Sequence, residues 1–344
     1  MTRRIITRTT DSLVPPDATE RATAASLWGS ADAHDGFMAN WPAMSSIELR
    51  QPPQGRSSGQ TRIAAWNLER CKKPLASAAI IRDCGIDILL ATELDIGMAR
   101  SGQAHTPSEL ADHLGYGYAF GVEFVELGIG DTHETQLFKD LENECGFHGN
   151  AIFSRYPIRN AALIPIDDGG EWFVRAPKND GQHRVGGRMA IAAELETPDG
   201  PLAVAAVHYE SESTPATRGE QTRRMLAAMD GLYGDLPVVI GGDLNTATLA
   251  ADTHSRHQRL NEPQDDEPCF QIFAAHDYRW GDGNTGETTT RHPPNRIIRH
   301  PHKTIDWLFV RGGRLFDPAV IPAVLDDDDY LSDHDMVAAY LSLS

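Results

Sequence analysis

The segment Val238-Val239-Ile240-Gly241-Gly242-Asp243-Leu244-Asn245 constrains this chain more than any other. Its apolar start reads as a buried strand, and the two glycines allow a sharp turn at its end. Asp243 and Asn245 are two apart, and residues two apart on extended chain point the same way. A carboxylate and an amide are thus set side by side at the mouth of a sheet. A carboxylate can orient and deprotonate a water, and an amide can hold that water or a phosphate oxygen. The pair points to hydrolysis; its bland alternative is a turn, which Asp and Asn both favour.

From residue 61 onward, short apolar runs alternate with helical patterns. Strands are predicted over 63–68, 86–92, 149–154, 189–196, 203–208, 238–242, 304–310 and 336–341. Helices are predicted over 75–83, 107–114 and 215–232, the last with Thr214 as N-cap and Pro215 in the first turn. Strands outnumber helices, and several follow one another directly. That order predicts an α+β chain with two packed sheets and helices outside, not a simple doubly wound sheet. Stretches 126–148 and 246–303 read as long irregular loops, a usual seat of substrate selection. The acidic run 326–329 reads as a solvated loop.

Residues 1–60 form an N-terminal arm that ends in a linker, Gln51-Pro52-Pro53-Gln54-Gly55-Arg56-Ser57-Ser58-Gly59-Gln60. Trp28, Phe37, Met38, Trp41 and Met44 are too apolar for a solvated tail. The arm is therefore expected to be ordered, partly helical around 17–29, and packed on the body; a disordered leader is the alternative. Residues 61–344 are expected to be one domain.

The formal net charge of -18 argues against a long polyanion as ligand, although metal-binding carboxylates count fully in that figure. Cys71, Cys84, Cys145 and Cys269 form no C-x-x-C pair and read as reduced thiols of a cytoplasmic protein. No signal-peptide core or membrane span is visible, so Arg3-Arg4 reads as incidental.

Polar groups recur at strand ends. Asn67 and Glu69 follow the first run, Glu93 the second, His208 the fifth, and Asp243 with Asn245 the sixth. Two later runs reverse the order: Asp306 opens one, and Ser332-Asp333-His334 precedes the other. All six sets meet at one rim only if these last two strands run opposite to the others. Such an oxygen-rich set suits Mg²⁺ or Mn²⁺; zinc would favour more His or Cys. Phosphate-ester cleavage needs on the order of 20 kcal/mol of barrier relief, and a cation supplies Lewis-acid stabilisation of phosphoryl oxygens. Histidine can neutralise developing charge or protonate a leaving oxygen. No nucleophilic serine elbow or P-loop is visible.

The motifs Trp66-Asn67-Leu68-Glu69, Thr92-Glu93, Gly149-Asn150-Ala151-Ile152-Phe153-Ser154-Arg155-Tyr156-Pro157-Ile158, Val207-His208, Gly242-Asp243-Leu244-Asn245, Ile305-Asp306-Trp307 and Ser332-Asp333-His334 occur in this order. In this order they resemble the endonuclease/exonuclease/phosphatase superfamily over about residues 61–344. The resemblance implies a four-layer αββα sandwich and a divalent-metal-dependent phosphoesterase. It implies Glu93 as main metal ligand, Asn67 beside it on metal or phosphate, and Asp333 as a direct or water-mediated ligand. It implies Asp243 as the residue that deprotonates the attacking water, Asn245 as its positioner, and His334 paired with Asp306 against transition-state charge. His208 stands where many members keep a histidine near the leaving group.

Three residues keep two readings. Glu69 is a helper for a second metal or a solvated acid. His148 is a substrate contact or a structural hydrogen bond. Arg188 meets phosphate or pairs with an acid. The expected reaction is hydrolysis of a phosphodiester by in-line attack of activated water, with a small or lipid diester favoured by the net charge. A DNA or RNA nuclease is the alternative, then a phosphomonoesterase, and remotely a non-catalytic binding module.

Overall fold

The computed structural model describes residues 3–53, 59–175, 182–292, 300–325 and 330–343. The acidic run 326–329 and linker positions 54–58 lie outside the described residues. The strands are β1 (Thr9–Thr10), β2 (Ile47–Arg50), β3 (Arg62–Arg70), β4 (Ile88–Ile96), β5 (Gly117–Glu126), β6 (Phe147–Ser154), β7 (Ile158–Pro165), β8 (Arg184–Gly186), β9 (Met189–Thr197), β10 (Gly200–His208), β11 (Val238–Asp243), β12 (Asp306–Arg311), β13 (Arg314–Ile321) and β14 (Met336–Ser342). The helices are α1 (Ala18–Ser26), α2 (Ala31–Asn40), α3 (Pro74–Asp83), α4 (Thr106–Leu114), α5 (Thr132–Leu137), α6 (Glu171–Val174), α7 (Pro215–Tyr233), α8 (Arg256–Asn261) and α9 (Pro268–Ala275).

The strands form two mixed sheets. The larger runs β1-β2-β5-β6-β4-β3-β14-β13 with β8 on β5, and the smaller runs β12-β11-β10-β9-β7. The period-two alternation of the strands sorts their side chains into layers. Ile63 and Ala65 of β3 meet Val204, Val239 and Leu308 between the sheets. Ala64, Trp66 and Leu68 of the same strand face outward with Ala78 and Ile81 of α3 and Leu110 of α4. On the other side, Trp307 and Phe309 of β12 pack with Met225 and Met229 of α7 and Phe270 and Phe273 of α9. The result is the expected order of helix, sheet, sheet, helix.

All eight predicted strands and all three predicted helices are present, with shifted ends. β1, β2, β5, β7, β8 and β13 escape the sequence reading. β5 is buried along its whole length, so it shows no alternation, and Gly121, Glu123 and Glu126 interrupt its apolar run. The stretches read as irregular loops are partly helical: α5 lies in 126–148, and α8 and α9 lie in 246–303. Capping boxes at Asp131 and Ser255 start α5 and α8, a local signal easily lost in polar surroundings.

The arm joins the larger sheet. β2 pairs antiparallel with β5, β1 pairs with β2, and α1 lies within the stretch read as helical. Trp41 and Met44 are buried, whereas Trp28 is half exposed and stacks on His183. Arg3, read from sequence as incidental, donates to the carbonyl oxygens of Met44 and Val122. The four cysteines are free. Among the described residues no helix is long and apolar enough to cross a membrane.

Strand directions decide the site. β3 runs parallel to β4, and β10 parallel to β11. β12 is antiparallel to β11, and β14 to β3. The ends of β3, β4, β10 and β11 therefore meet the starts of β12 and β14 at one rim.

Candidate active site

Gly242 lies at φ +144°, and a Cβ there would stand 2.0 Å from the Val207 carbonyl oxygen. Only glycine lets β11 approach β10 this closely. His208 is thereby the register partner of Asp243, and Asp243 of Asp306. Three reactive groups thus stand on three adjacent strands.

Glu93 arrives by a different device. The β4 register slips on both sides, between Asn67 and Arg70 toward β3 and between Ala91 and Leu94 toward β6. Glu93 itself takes φ +58°, a left-handed conformation that costs an L-residue roughly 1–2 kcal/mol. Such bulges re-aim side chains beside active sites. Asn67 bridges the two sheets: its Nδ2 donates to Glu93 Oε1 at 3.1 Å and to Asp243 Oδ2 at 3.2 Å. The Asn245 backbone N–H donates to Asp243 Oδ1 at 2.8 Å, and its side-chain amide donates to the Tyr209 carbonyl at 2.9 Å.

His334 is held from three directions. Trp66 Nε1 donates to its carbonyl at 2.8 Å, its own N–H donates to Ser332 Oγ at 3.0 Å, and its Nδ1 lies 2.9 Å from Asp306 Oδ2. Thr289 Oγ1 donates to the same Asp306 oxygen at 2.6 Å. Asp306 Oδ1 is buried with no hydrogen-bond partner. His334 Nε2 lies 3.8 Å from Asp243 Oδ2 and 4.0 Å from Asp333 Oδ1. His208 Nε2 lies 3.7 Å from Asp243 Oδ2 and 4.0 Å from Glu93 Oε1. Glu69 Oε2 accepts from the Asp333 N–H at 3.1 Å.

Burial opposes charge on His334, but Asp306 and Asp243 hold its pKa well above the ordinary value. Burial and the neighbouring Asp243 raise Asp306 to about 6, against the pull of His334. We take the imidazolium form of His334 as the governing state, because three carboxylates surround it. Asp243, Asp306 and His334 offer atoms within 4.8 Å of one another, close enough to cage a cation. An imidazolium has no lone pair to give, so the trio suits charge stabilisation better than ligation. Oxygens of the kind that Glu93, Asn67, Asp333 and Glu69 carry suit a hard cation.

Two of the residues singled out from sequence are engaged by buried partners: His148 away from this cluster and Arg188 behind His208. His148 contacts Asp95 Oδ1 through Nδ1 at 2.8 Å and faces Arg100 Nη2 at 3.2 Å. Arg188 is buried and engaged by acids: Nε donates to Glu210 Oε2 at 3.0 Å and Nη1 to Glu123 Oε1 at 3.1 Å. Its Nη1 lies 3.1 and 3.4 Å from the two His208 ring nitrogens, near-equal distances that set it against the imidazole face. For both residues the geometry matches the structural alternative.

The sequence reading misses Arg70, Glu123 and Thr289. Arg70 donates to Glu93 Oε2. Burial would raise the Glu123 carboxyl, yet Arg188 and His208 bring it down to about 2. An acid inside an apolar strand marked Asp306 and would have marked Glu123 too. Thr289 carries no such signal, since it sits in a polar stretch far along the chain.

The sequence model of the endonuclease/exonuclease/phosphatase family matches residues 64–334. The chain belongs to this family. Its members are phosphoester hydrolases that generally use divalent metals, and the chain is an enzyme of that class. Among solved structures, an endonuclease/exonuclease/phosphatase from Beutenbergia cavernae is 18% identical with a TM-score of 0.55, over 83% of this chain and 72% of that one. An endonuclease/exonuclease/phosphatase from Bacteroides vulgatus is 16% identical with a TM-score of 0.54, over 83% and 100%. The human Nocturnin catalytic domain with bound sulfate is 18% identical with a TM-score of 0.51, over 86% and 99%. At these identities the likeness is one of fold. No curated protein matches the sequence.

Proposed function

We propose that this family member hydrolyses a phosphodiester with Mg²⁺ or Mn²⁺, by in-line attack of water at phosphorus. One observation carries the reading. Asp243 Oδ2 stands 3.7 Å from His208 Nε2 and 3.8 Å from His334 Nε2. These gaps are too long for direct hydrogen bonds and leave room for oxygens of water and substrate among the three groups.

Glu93, with Asn67, Asp333 and Glu69 around it, would hold the cation. When bound, the cation supplies Lewis-acid stabilisation of the phosphoryl oxygens. Asp243 accepts the proton of the attacking water, and Asn245 helps hold that water. The His334 imidazolium, kept charged by Asp306, faces the charge that builds on the phosphoryl oxygens. His208 protonates the departing alkoxide. The net charge of -18 favours a small or lipid diester over nucleic acid. Four free thiols support a cytoplasmic setting.

The test is a panel of duplex DNA, RNA, a chromogenic diester, a chromogenic monoester and sphingomyelin, each with Mg²⁺ and with Mn²⁺. Turnover of a chromogenic or lipid diester, lost in Asp243→Asn with ion binding retained, is the expected result. Preferential turnover of DNA or RNA overturns the substrate assignment. An intact panel overturns the reading altogether.

A further inference from the structure

Glu93 presents two carboxylate oxygens in different directions. Oε1 faces the site, with Asn67 Nδ2 at 3.1 Å and His208 Nε2 at 4.0 Å. Oε2 is occupied by the guanidinium of Arg70. Arg70 is itself steered from behind. Its Nε lies 3.5 Å from Glu134 Oε1. Glu134 Oε2 accepts from the Asp131 N–H at 3.1 Å and from Arg100 Nη1 at 3.3 Å, so that carboxylate is fixed to the first turn of α5.

The backbone around Arg70 is unusual. Glu69, Arg70 and Cys71 take φ +43°, +76° and +53°. Three successive left-handed L-residues cost on the order of 3–6 kcal/mol together. Such strain persists only where the surroundings over-determine it, and it concentrates at functional sites. Here it curls the end of β3 so that Arg70 sits opposite Leu94, next to Glu93. An arginine delivered this way, to a carboxylate that is itself on a bulge, is a positioned group.

We propose that Arg70 is a positioning residue for cation binding: it clamps Glu93 Oε2, leaves Oε1 as the oxygen offered to the ion, and ties that geometry through Glu134 to α5. The inference rests on the reading of Glu93 as metal ligand. Partners of this kind orient metal-binding carboxylates, and their loss lowers metal affinity by roughly 10–100-fold. The sign is diagnostic. Removing a nearby positive charge would by itself tighten binding of a cation. Weaker binding therefore reports lost orientation and not lost charge.

The experiment is calorimetric titration of the purified full chain with Mn²⁺ alone, with the melting temperature of the ion-free protein measured alongside. Arg70→Ala is expected to weaken Mn²⁺ binding by roughly 10–100-fold with little change in ion-free melting temperature. Arg70→Lys should recover part of the loss. Glu134→Gln should weaken binding less, in the same direction, and it decides the matter if Arg70→Ala does not fold. Wild-type binding that these variants leave unchanged or tighten overturns this inference alone. No binding by the wild type overturns the proposed function and this inference together.

Discussion

Asp306 and His334 meet at 2.9 Å between Oδ2 and Nδ1, although 28 residues separate them in the chain. The pair is buried, and Thr289 donates to the same aspartate oxygen. Asp306 thereby fixes the ring so that Nε2 faces Asp243 and Asp333.

Asp306→Asn preserves the shape but removes the charge that keeps His334 protonated. Turnover is expected to fall by about 10²–10³-fold, the usual loss for one preorganised charge-stabilising group. Steady-state kinetics on the diester found in the panel, with kcat and KM separated, checks this. A change confined to KM would contradict it.

Arg188→Ala leaves Glu123 and Glu210 buried without their cation. Breaking such a pair typically costs about 3–5 kcal/mol, or roughly 4–7 °C in melting temperature for a chain of this size. Thermal unfolding monitored by circular dichroism is the readout. A raised KM with unchanged melting temperature would instead restore Arg188 as a phosphate contact.

Gly242→Ala places a Cβ against the Val207 carbonyl at a φ that alanine resists. Urea unfolding should show a loss of about 3 kcal/mol, from overpacking and backbone strain acting together. Wild-type stability in this variant would mean that β10 and β11 can separate freely at their ends.

His148 is buried beside Arg100. Burial lowers its pKa to about 4, although Asp95 pulls upward. Its folded pKa lies below the unfolded value near 6.5, so the unfolded chain binds the extra proton between the two. The stabilisation from keeping it neutral is full above about pH 6.5 and is lost as pH falls toward 4. The gap corresponds to about 3 kcal/mol. Asp167, raised to about 6 by burial, works in the opposite sense over part of this window. The measurement is therefore a difference: unfolding free energies of wild type and His148→Gln from pH 7 to pH 4. The wild type should lose stability relative to the variant as pH falls, and parallel curves would refute the assignment.

Periodic signals carried the sequence reading. Eight strands, three helices, the sandwich layering and the opposed direction of β12 and β14 follow from apolar alternation and from polar groups at strand ends. Asp243, Glu93, Asp306 and His334 stand out in the sequence because each interrupts or borders an apolar run. Apart from the Asp306–His334 and Asn67–Glu93 neighbours that the resemblance implied, side-chain partnership was not legible, since a hydrogen bond across the sheets leaves no trace in local order. His148 and Arg188 looked like site residues because they flank strands, yet His148 sits against Asp95 and Arg100, and Arg188 pairs with Glu123 and Glu210 behind His208.

The sequence by itself determined the family and the fold, because motif order and strand periodicity are properties of the chain. Beyond the Asp306–His334 pair, the tertiary structure alone decided which groups touch. The bulge at Glu93, the left-handed turn at Arg70 and the donation from Thr289 arise from packing distant segments at one rim. Their physical cause is contact, which spacing along a chain does not encode.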